Sequence, residues 1–363
     1  SFSLSFLPTD DYYAELEESD NNWFELSFDL MVNGKSIPMV PLIEELLNSY
    51  PMDELPESIA IPIGENENVV VRKEQIEPII QTLHELFDRE TSESFRINRF
   101  DAVRLAALDH QNPSLQIKGA QRLLELGHKL LDFKGIQEAP LPSGFQGELR
   151  DYQKSGINWL QFLREFEFNG ILADDMGLGK TVQVLTHLLI EKESGRLDQP
   201  CLIIAPTSLM SNWRRETERF TPALKLLVLQ GTQRKQHFDH IQEYDIILST
   251  YPLLFRDRTH LTQHPWSFVI LDEAQMVKNP RAQSSRVIRE LQTRHKICLT
   301  GTPMENHLGE LWALYDFLMP GFLADEKTFK SVFRTPIEKH GNISAGHRLA
   351  QRVSPFLLRR SKM

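Results

Sequence analysis

Between residues 23 and 30, polar and apolar side chains alternate. Trp23, Glu25, Ser27 and Asp29 stand against Phe24, Leu26, Phe28 and Leu30, the period-two pattern of a strand with one buried face. Asn33-Gly34 then interrupts a run that resumes at Ile37, which predicts a hairpin. A short helix is expected over 40–47, and a strand pair over 59–63 and 69–71 around Gly64-Glu65-Asn66. Apolar positions at helical spacing predict helices over 75–87, 100–108 and 115–131. Ahead of all this, residues 1–22 carry Asp10, Asp11, Glu15, Glu17, Glu18 and Asp20 without a clear period, and read as a solvated arm.

The pattern changes after a Pro- and Gly-containing stretch (Pro140, Pro142, Gly144, Gly147). A helix is expected over 152–166. Short apolar runs follow at 171–173, 201–205, 226–229, 245–249, 268–272 and 296–300, with helical stretches between most of them. Strands alternating with helices imply a parallel sheet joined by right-handed crossovers. The expected organisation is an acidic α+β domain over 1–135, a linker over 136–148, and an α/β domain over 149–363.

Charge sharpens that boundary. The net charge is −10, yet residues 1–100 hold 21 acidic and 6 basic side chains, and the rest hold 29 and 34. An acidic front domain therefore precedes a mildly basic one, compatible with a nucleic-acid partner. Cys201 and Cys298 lie in apolar runs and are expected buried and reduced, which suits an intracellular compartment. No apolar run approaches membrane-spanning length, and no basic-then-apolar leader opens the chain. The first residue is Ser1 rather than Met, as in a trimmed chain.

Candidate chemistry centres on residues 171–181. The apolar Ile171, Leu172 and Ala173 end in a glycine-broken loop, then Lys180 and Thr181 open an apolar-periodic helix. Strand, loop and helix is the setting of a phosphate-binding loop. Gly177 and Gly179 let main-chain N–H groups approach phosphate, and the helix turns its positive end to the same anion. Lys180 can reach the β and γ phosphates, and the Thr181 hydroxyl can ligate magnesium. The strict pattern has a glycine where this chain has Asp174.

A second element accompanies it. Phe268, Val269, Ile270 and Leu271 form a strand, and Asp272 and Glu273 stand at its C-terminal end, where open α/β sheets place their ligands. Neighbouring strand residues face opposite ways, so the two carboxylates take different tasks. Asp272 suits magnesium. Glu273 suits orienting and deprotonating an attacking water.

Further strings occur in order: Leu149-Arg150-Asp151-Tyr152-Gln153, Asp174 to Thr181, Ile203 to Leu209 with Asn212-Trp213, Ser249-Thr250-Tyr251, Asp272-Glu273-Ala274-Gln275, Leu299 to Asn306, Glu310-Leu311-Trp312 and Phe356 to Arg360. From about 149 to 360 the chain resembles the first RecA-like lobe of the Swi/Snf-type ATPases of helicase superfamily two. Gln275, where many relatives carry His, is similar to the bacterial branch. The acidic front domain resembles the extra region that bacterial members carry ahead of their motor.

The resemblance implies ATP and magnesium as cofactors and an α/β fold: a RecA-like parallel sheet with helices on both faces, preceded by a smaller α+β domain. It implies that Gln153, with Arg150 nearby, contacts adenine. It places nucleotide on Asp175, Met176, Gly177, Leu178, Gly179, Lys180 and Thr181, with magnesium on Thr181 and Asp272. Pro206, Thr207, Ser208, Ser249 and Thr250 would touch one DNA strand's phosphates, joined by Lys278 and Asn279; such contacts hold the backbone without reading sequence. Gly301, Thr302 and Pro303 would couple nucleotide state to the DNA grip. A second RecA-like lobe, which would supply an arginine finger, is expected from the same parent chain, since none of its motifs falls within these residues. A fragment without that lobe is expected to be nearly inactive.

The expected function is thus part of an ATP-dependent double-stranded DNA translocase or remodeller, cytoplasmic and nucleoid-associated, with no membrane partner. Competing readings are a strand-separating helicase or restriction-type translocase, and, outside enzymes, a protein-interaction or autoinhibitory role for the acidic front domain. Trp213 and Trp312 are expected in the core. His237, His240, His260 and His264 are scattered on polar stretches and no metal site is expected there.

Overall fold

A computed structural model describes residues 11–19, 23–32, 34–50, 54–62, 68–74, 77, 95–109, 115–119, 121–131, 135–279, 282–301 and 308–362. The chain divides into two compact units, Ser1–Lys134 and Gly135–Met363.

In the first unit, strand β2 (Trp23–Val32) buries Leu26, Phe28, Leu30 and Val32 and exposes Ser27, as the alternation requires. It pairs antiparallel with β3 (Lys35–Pro38) through a turn in which Gly34 has φ +77°, a region open to glycine at little cost. Residues 11–19 overturn the expectation of a solvated arm. They form β1 (Asp11–Ser19), paired antiparallel along its whole length with β2, its Glu15 and Glu17 turned to solvent. The helix α1 (Val40–Ser49) seats Ile43 and Leu46 in the core. Strands β4 (Ser58–Pro62) and β5 (Asn68–Arg72) make a separate antiparallel pair. Strand β6 (Phe95–Asn98) joins the other edge of β2. Helix α2 (Arg99–Asp109) then starts on a reciprocal pair in which the Asn98 amide donates to Asp101 and the Asp101 N–H donates to Asn98.

The helix expected over 115–131 is also corrected. Leu115–Lys118 is a strand, β7, running parallel to β1, and only Gln121–Leu131 is helical (α3). The helix expected over 75–87 and the turn at Gly64-Glu65-Asn66 fall outside the described residues, apart from Glu77.

The second unit is built on seven parallel strands in the order β10-β11-β9-β12-β13-β8-β14. They are β8 (Gly170–Leu172), β9 (Cys201–Ala205), β10 (Leu226–Val228), β11 (Ile246–Thr250), β12 (Trp266–Leu271), β13 (Thr293–Leu299) and β14 (Leu357–Leu358). Strands β8, β9, β11 and β12 are buried at every residue, which is why they read as unbroken apolar runs. Helices surround the sheet, among them α4 (Asp151–Glu165), α5 (Lys180–Glu193), α6 (Met210–Phe220), α7 (Tyr251–Arg256), α8 (Arg258–Gln263), α9 (Gln283–Glu290) and α10 (Leu308–Leu318). Both cysteines are buried free thiols.

The Pro/Gly stretch is laid onto this unit. The Ala139 N–H donates to the Asn158 side chain at 2.9 Å, and the Gln146 N–H to the Phe220 carbonyl at 2.9 Å. Ser143 and the Gly144 N–H both donate to Glu193. Phe145 stacks on Phe220 at 6.0 Å between ring centroids.

A buried polar cluster ties α4 to α5. The Gln161 amide donates to His187 Nδ1 at 2.8 Å and to Glu191 at 3.0 Å, and Glu191 also pairs with Arg164 and Arg196. His187 meets Phe268 edge-on, and Phe268 stacks obliquely against His295. Burial pushes His187 down to about 4, with Arg164 and Arg196 adding to the effect and Glu191 opposing it. Burial likewise holds His295 at about 4.

Both histidines fold as neutral rings, so the unfolded chain binds their protons first as pH falls. Stability should therefore drop between pH 6.5 and about 4, by as much as roughly 3 kcal/mol for the fully buried His187. Thermal unfolding followed against pH should show this slope, and His187→Phe should make it shallower by about one proton. An unfolding midpoint that stays flat over that interval in the unmodified protein would contradict the buried neutral pair.

Candidate functional site

Strand β8 delivers the chain into a loop at 174–179 that α5 continues. Gly177 (φ +81°) and Gly179 (φ +79°) take left-handed conformations, and a Cβ on Gly179 would lie 2.5 Å from Gln153 Nε2. The positive φ at both positions is what calls for glycine, whereas the Gln153 amide is the end of a flexible side chain. Lys180 folds over the loop, its Nζ donating to the Asp174 carbonyl at 2.5 Å and the Asp175 carbonyl at 3.4 Å. Thr181 is partly buried at the second position of α5, and Met176 is exposed on the loop. Gln153 braces the loop from α4: its Nε2 donates to the Leu178 carbonyl at 3.4 Å, and its Oε1 accepts the Arg150 N–H at 2.9 Å. The Asp175 N–H donates to the Arg360 carbonyl, and the Leu178 N–H to the Asp175 carbonyl.

Asp174, the departure from the strict glycine pattern, is fully buried. Its carboxylate is gripped by the Arg360 guanidinium, Nε at 2.9 Å and Nη2 at 2.5 Å, in the fork geometry that suits arginine. Arg360 also donates to Gln183 Oε1 and to the Tyr152 carbonyl, and lies over the Tyr152 ring. Strand β14 brings it there, pairing with β8 and accepting the Ala173 N–H at the Leu358 carbonyl. The Lys362 N–H closes the segment on the Asp175 carboxylate.

The carboxylates leave β12 close enough to Lys180 for its charge to act on Asp272. Asp272 is buried, its Oδ2 accepting the Trp213 indole N–H at 2.8 Å and its Oδ1 the Glu273 N–H at 2.9 Å. The Tyr251 hydroxyl donates to the Asp272 carbonyl at 2.5 Å. Burial pushes the Asp272 carboxyl above the ordinary aspartate range, and the Glu273 charge adds to it. Glu273 sits in the left-handed region (φ +48°, ψ +53°), a conformation a non-glycine residue keeps only where its surroundings impose it. Its Oε2 accepts Gln275 Nε2 at 2.6 Å, and Gln275 Oε1 accepts the Thr300 hydroxyl at 2.9 Å. A relay therefore runs from the end of β13 to Glu273.

The structure sorts the expected DNA contacts. Pro206, Thr207 and Ser208 sit at a 3-10 turn at the C-terminal end of β9, with Thr207 and Ser208 exposed; Lys278 and Asn279 are exposed as well. Lys278 also pairs with Glu310 at 2.9 Å. Ser249 and Thr250 close β11, the strand next to the edge strand β10, and both are buried in this structure. Gly301 is described, beside Met176, whereas Thr302 and Pro303 lie outside the described residues. Sequence reasoning did not assign Asp174, Gln183, Thr300 and Arg360 to the site. Trp213 is in the core as expected, yet it also holds a catalytic candidate.

A family profile described as SNF2-related domain matches residues 152–363. YwqA of Bacillus subtilis (strain 168), named as a candidate ATP-dependent helicase/translocase, is 43% identical over 251 residues, 68% of this chain and 27% of YwqA. The TATA-binding protein-associated factor MOT1 of Saccharomyces cerevisiae is 33% identical over 274 residues, 69% of this chain and 15% of MOT1. Among solved structures, the Sulfolobus solfataricus SWI2/SNF2 ATPase core in complex with dsDNA aligns with a TM-score of 0.58 at 40% identity, covering 62% of this chain and 47% of that one. The chain thus spans about a quarter of YwqA's length and less of MOT1's.

The Asp174–Arg360 grip makes opposite demands from a textual repair of the loop. Arg360→Ala leaves a carboxylate buried without its cation and should cost roughly 3–5 kcal/mol in urea unfolding. Asp174→Gly, which restores the strict glycine pattern, should also destabilise, though less, because the Arg360 side chain is 21% exposed and can reach water. Losses under about 1 kcal/mol from both would mean the pair behaves as a surface ion pair.

Proposed function

We propose that this chain, which belongs to the SNF2-related domain family, is the first RecA-like lobe and front domain of an ATP-dependent DNA translocase or remodeller. The observation that carries the reading is the convergence of the glycine loop, Lys180, Asp272 and Glu273 at one end of a parallel sheet.

The residues fit a magnesium-bound nucleoside triphosphate. The loop glycines carry no Cβ toward an anion, and the Asp272 carboxyl, raised by burial beside Glu273, is a site that a cation would relieve. Among the described residues no group of three or more His, Cys, Asp or Glu could hold a metal by itself, so Thr181 and Asp272 would hold magnesium together with phosphate oxygens. Magnesium held there would supply neutralisation of phosphate charge. Lys180 would leave the Asp174 and Asp175 carbonyls for the phosphates, and the Gly177 and Gly179 backbone with the α5 N-terminus would cradle them. Glu273, held by Gln275 and Thr300, would orient the attacking water and take its proton. Gln153 would meet adenine from the position in which it now braces the loop.

Double-stranded DNA is the proposed second ligand, held by its backbone at the exposed Pro206–Ser208 turn and at Lys278 and Asn279. The dsDNA complex of the Sulfolobus core supports this assignment. Hydrolysis is proposed to need a second RecA-like lobe. The chain covers under half of that solved core's length, and Arg360, brought to the loop by β14, is committed to Asp174.

Calorimetric titration with a non-hydrolysable ATP analogue tests the site. Binding should depend on magnesium, and Lys180→Ala should abolish it while leaving the circular dichroism spectrum unchanged. Equal affinity in the variant would remove the phosphate loop from the account.

A further inference from the structure

Two helices that begin at the C-terminal end of the sheet each send an aromatic donor to the same aspartate. The turn Thr207–Leu209 runs without a break into α6: the Leu209 N–H donates to the Pro206 carbonyl, and the Met210 N–H to the Thr207 carbonyl. One turn into α6, Trp213 is 1% exposed and its single N–H is used on Asp272 Oδ2 at 2.8 Å. The second donor comes from β11. Where that strand ends, Tyr251 opens α7, is 4% exposed, and gives its hydroxyl hydrogen to the Asp272 main-chain carbonyl at 2.5 Å. The strand itself fixes a third point, since the Asp272 N–H donates to the Ile204 carbonyl of β9 at 2.8 Å. Asp272 is thus held by its side chain from α6 and by its backbone from β9 and α7.

We infer that Trp213 and Tyr251 are positioning residues that link occupancy of the Pro206–Ser208 turn by DNA phosphate to the magnesium-holding competence of Asp272. The inference rests on the proposed ATP and DNA sites. A phosphate bound by Thr207, Ser208 or their N–H groups pulls on a turn that is hydrogen-bonded into α6. A helix moves as a body, so the indole N–H moves relative to Asp272 Oδ2. The carboxylate is then reoriented between the position that serves Trp213 and the one that serves a cation. Tyr251 keeps the Asp272 backbone fixed meanwhile, so that the displacement acts on the carboxylate alone. Linkage makes the effect mutual: a duplex that raises magnesium affinity must itself bind more tightly when magnesium and nucleotide are present.

The test uses the full-length protein, a fluorescent non-hydrolysable ATP analogue and a random-sequence DNA duplex. The reading is the magnesium concentration that half-saturates analogue binding, with and without duplex. In the unmodified protein the duplex should lower it several-fold. Trp213→Phe keeps an aromatic ring and removes the donor; loss of a hydrogen bond to a charged group should change the magnesium requirement about tenfold and abolish the duplex effect. The circular dichroism spectrum should stay as it was, which a general loss of structure would not allow. Tyr251→Phe removes only a hydroxyl and should at least halve the duplex effect; it decides the question if Trp213→Phe fails to fold. A normal magnesium requirement and a normal duplex effect in both variants, or in Tyr251→Phe when it alone folds, would overturn the inference. An unmodified protein that binds no analogue at all would instead defeat the ATP-site reading, and this inference with it.

Discussion

The register of a parallel sheet governs the rest of the second unit. Ile171 of β8 lies beside Cys298 of β13, and Cys298 beside Leu271 of β12, which in turn neighbours Ile204 of β9. Four strands therefore end at nearly one level, and the segments after them leave the sheet side by side. That alignment brings the phosphate loop, the Pro206–Ser208 turn, Asp272-Glu273 and Thr300 within reach of one another. It is held by backbone hydrogen bonds and by apolar side chains buried on both faces, not by any site residue. A slip of one residue in β12 would exchange the faces on which Asp272 and Glu273 stand, so the division of labour between the two carboxylates depends on strand packing many ångströms from the chemistry.

The phosphate loop has a further support. A two-residue strand, β14, continues the sheet beyond β8 and carries Arg360 to the buried Asp174. A buried charge in this position is costly unless it is paired and fully hydrogen-bonded, and here Arg360, Gln183 and the Tyr152 carbonyl complete the set. The loop departs from the strict glycine pattern because the position carries a side chain with its own partner. The same bond fastens residues 357–362 to the nucleotide loop, through the Asp175 N–H and carboxylate as well as through Asp174. Chain leaving the sheet at this edge is mechanically tied to the proposed phosphate loop.

Much of this was legible in the sequence, for a physical reason. Strands buried on both faces must be contiguous apolar runs, and a phosphate loop must be short, glycine-bearing and followed by a helix, so β8, β9, β11, β12 and α5 announce themselves locally. Asp272 and Glu273 were placed by the strand before them. What escaped depends on long-range pairing. Arg360 lies 186 residues from Asp174 and no local pattern joins them. Residues 11–19 looked like a charged arm because Glu15 and Glu17 face solvent on a strand whose partner, β2, supplies the order. Leu115–Lys118 looked helical because its apolar residues fall in phase with the helix that follows, while its pairing with β1 spans about a hundred residues.

The central claim is that these residues hold a complete phosphate loop and water-positioning carboxylate but act only with a second lobe. Steady-state ATP hydrolysis by this 363-residue chain, at saturating duplex DNA and beside Glu273→Gln as the blank, tests it most directly. The account predicts a rate close to the blank, with no response to DNA. In related NTPases the arginine that completes such a site is worth roughly a thousand- to a hundred-thousand-fold in rate. A duplex-stimulated turnover on the order of one per second, lost in Glu273→Gln, would contradict the account and show that one lobe suffices.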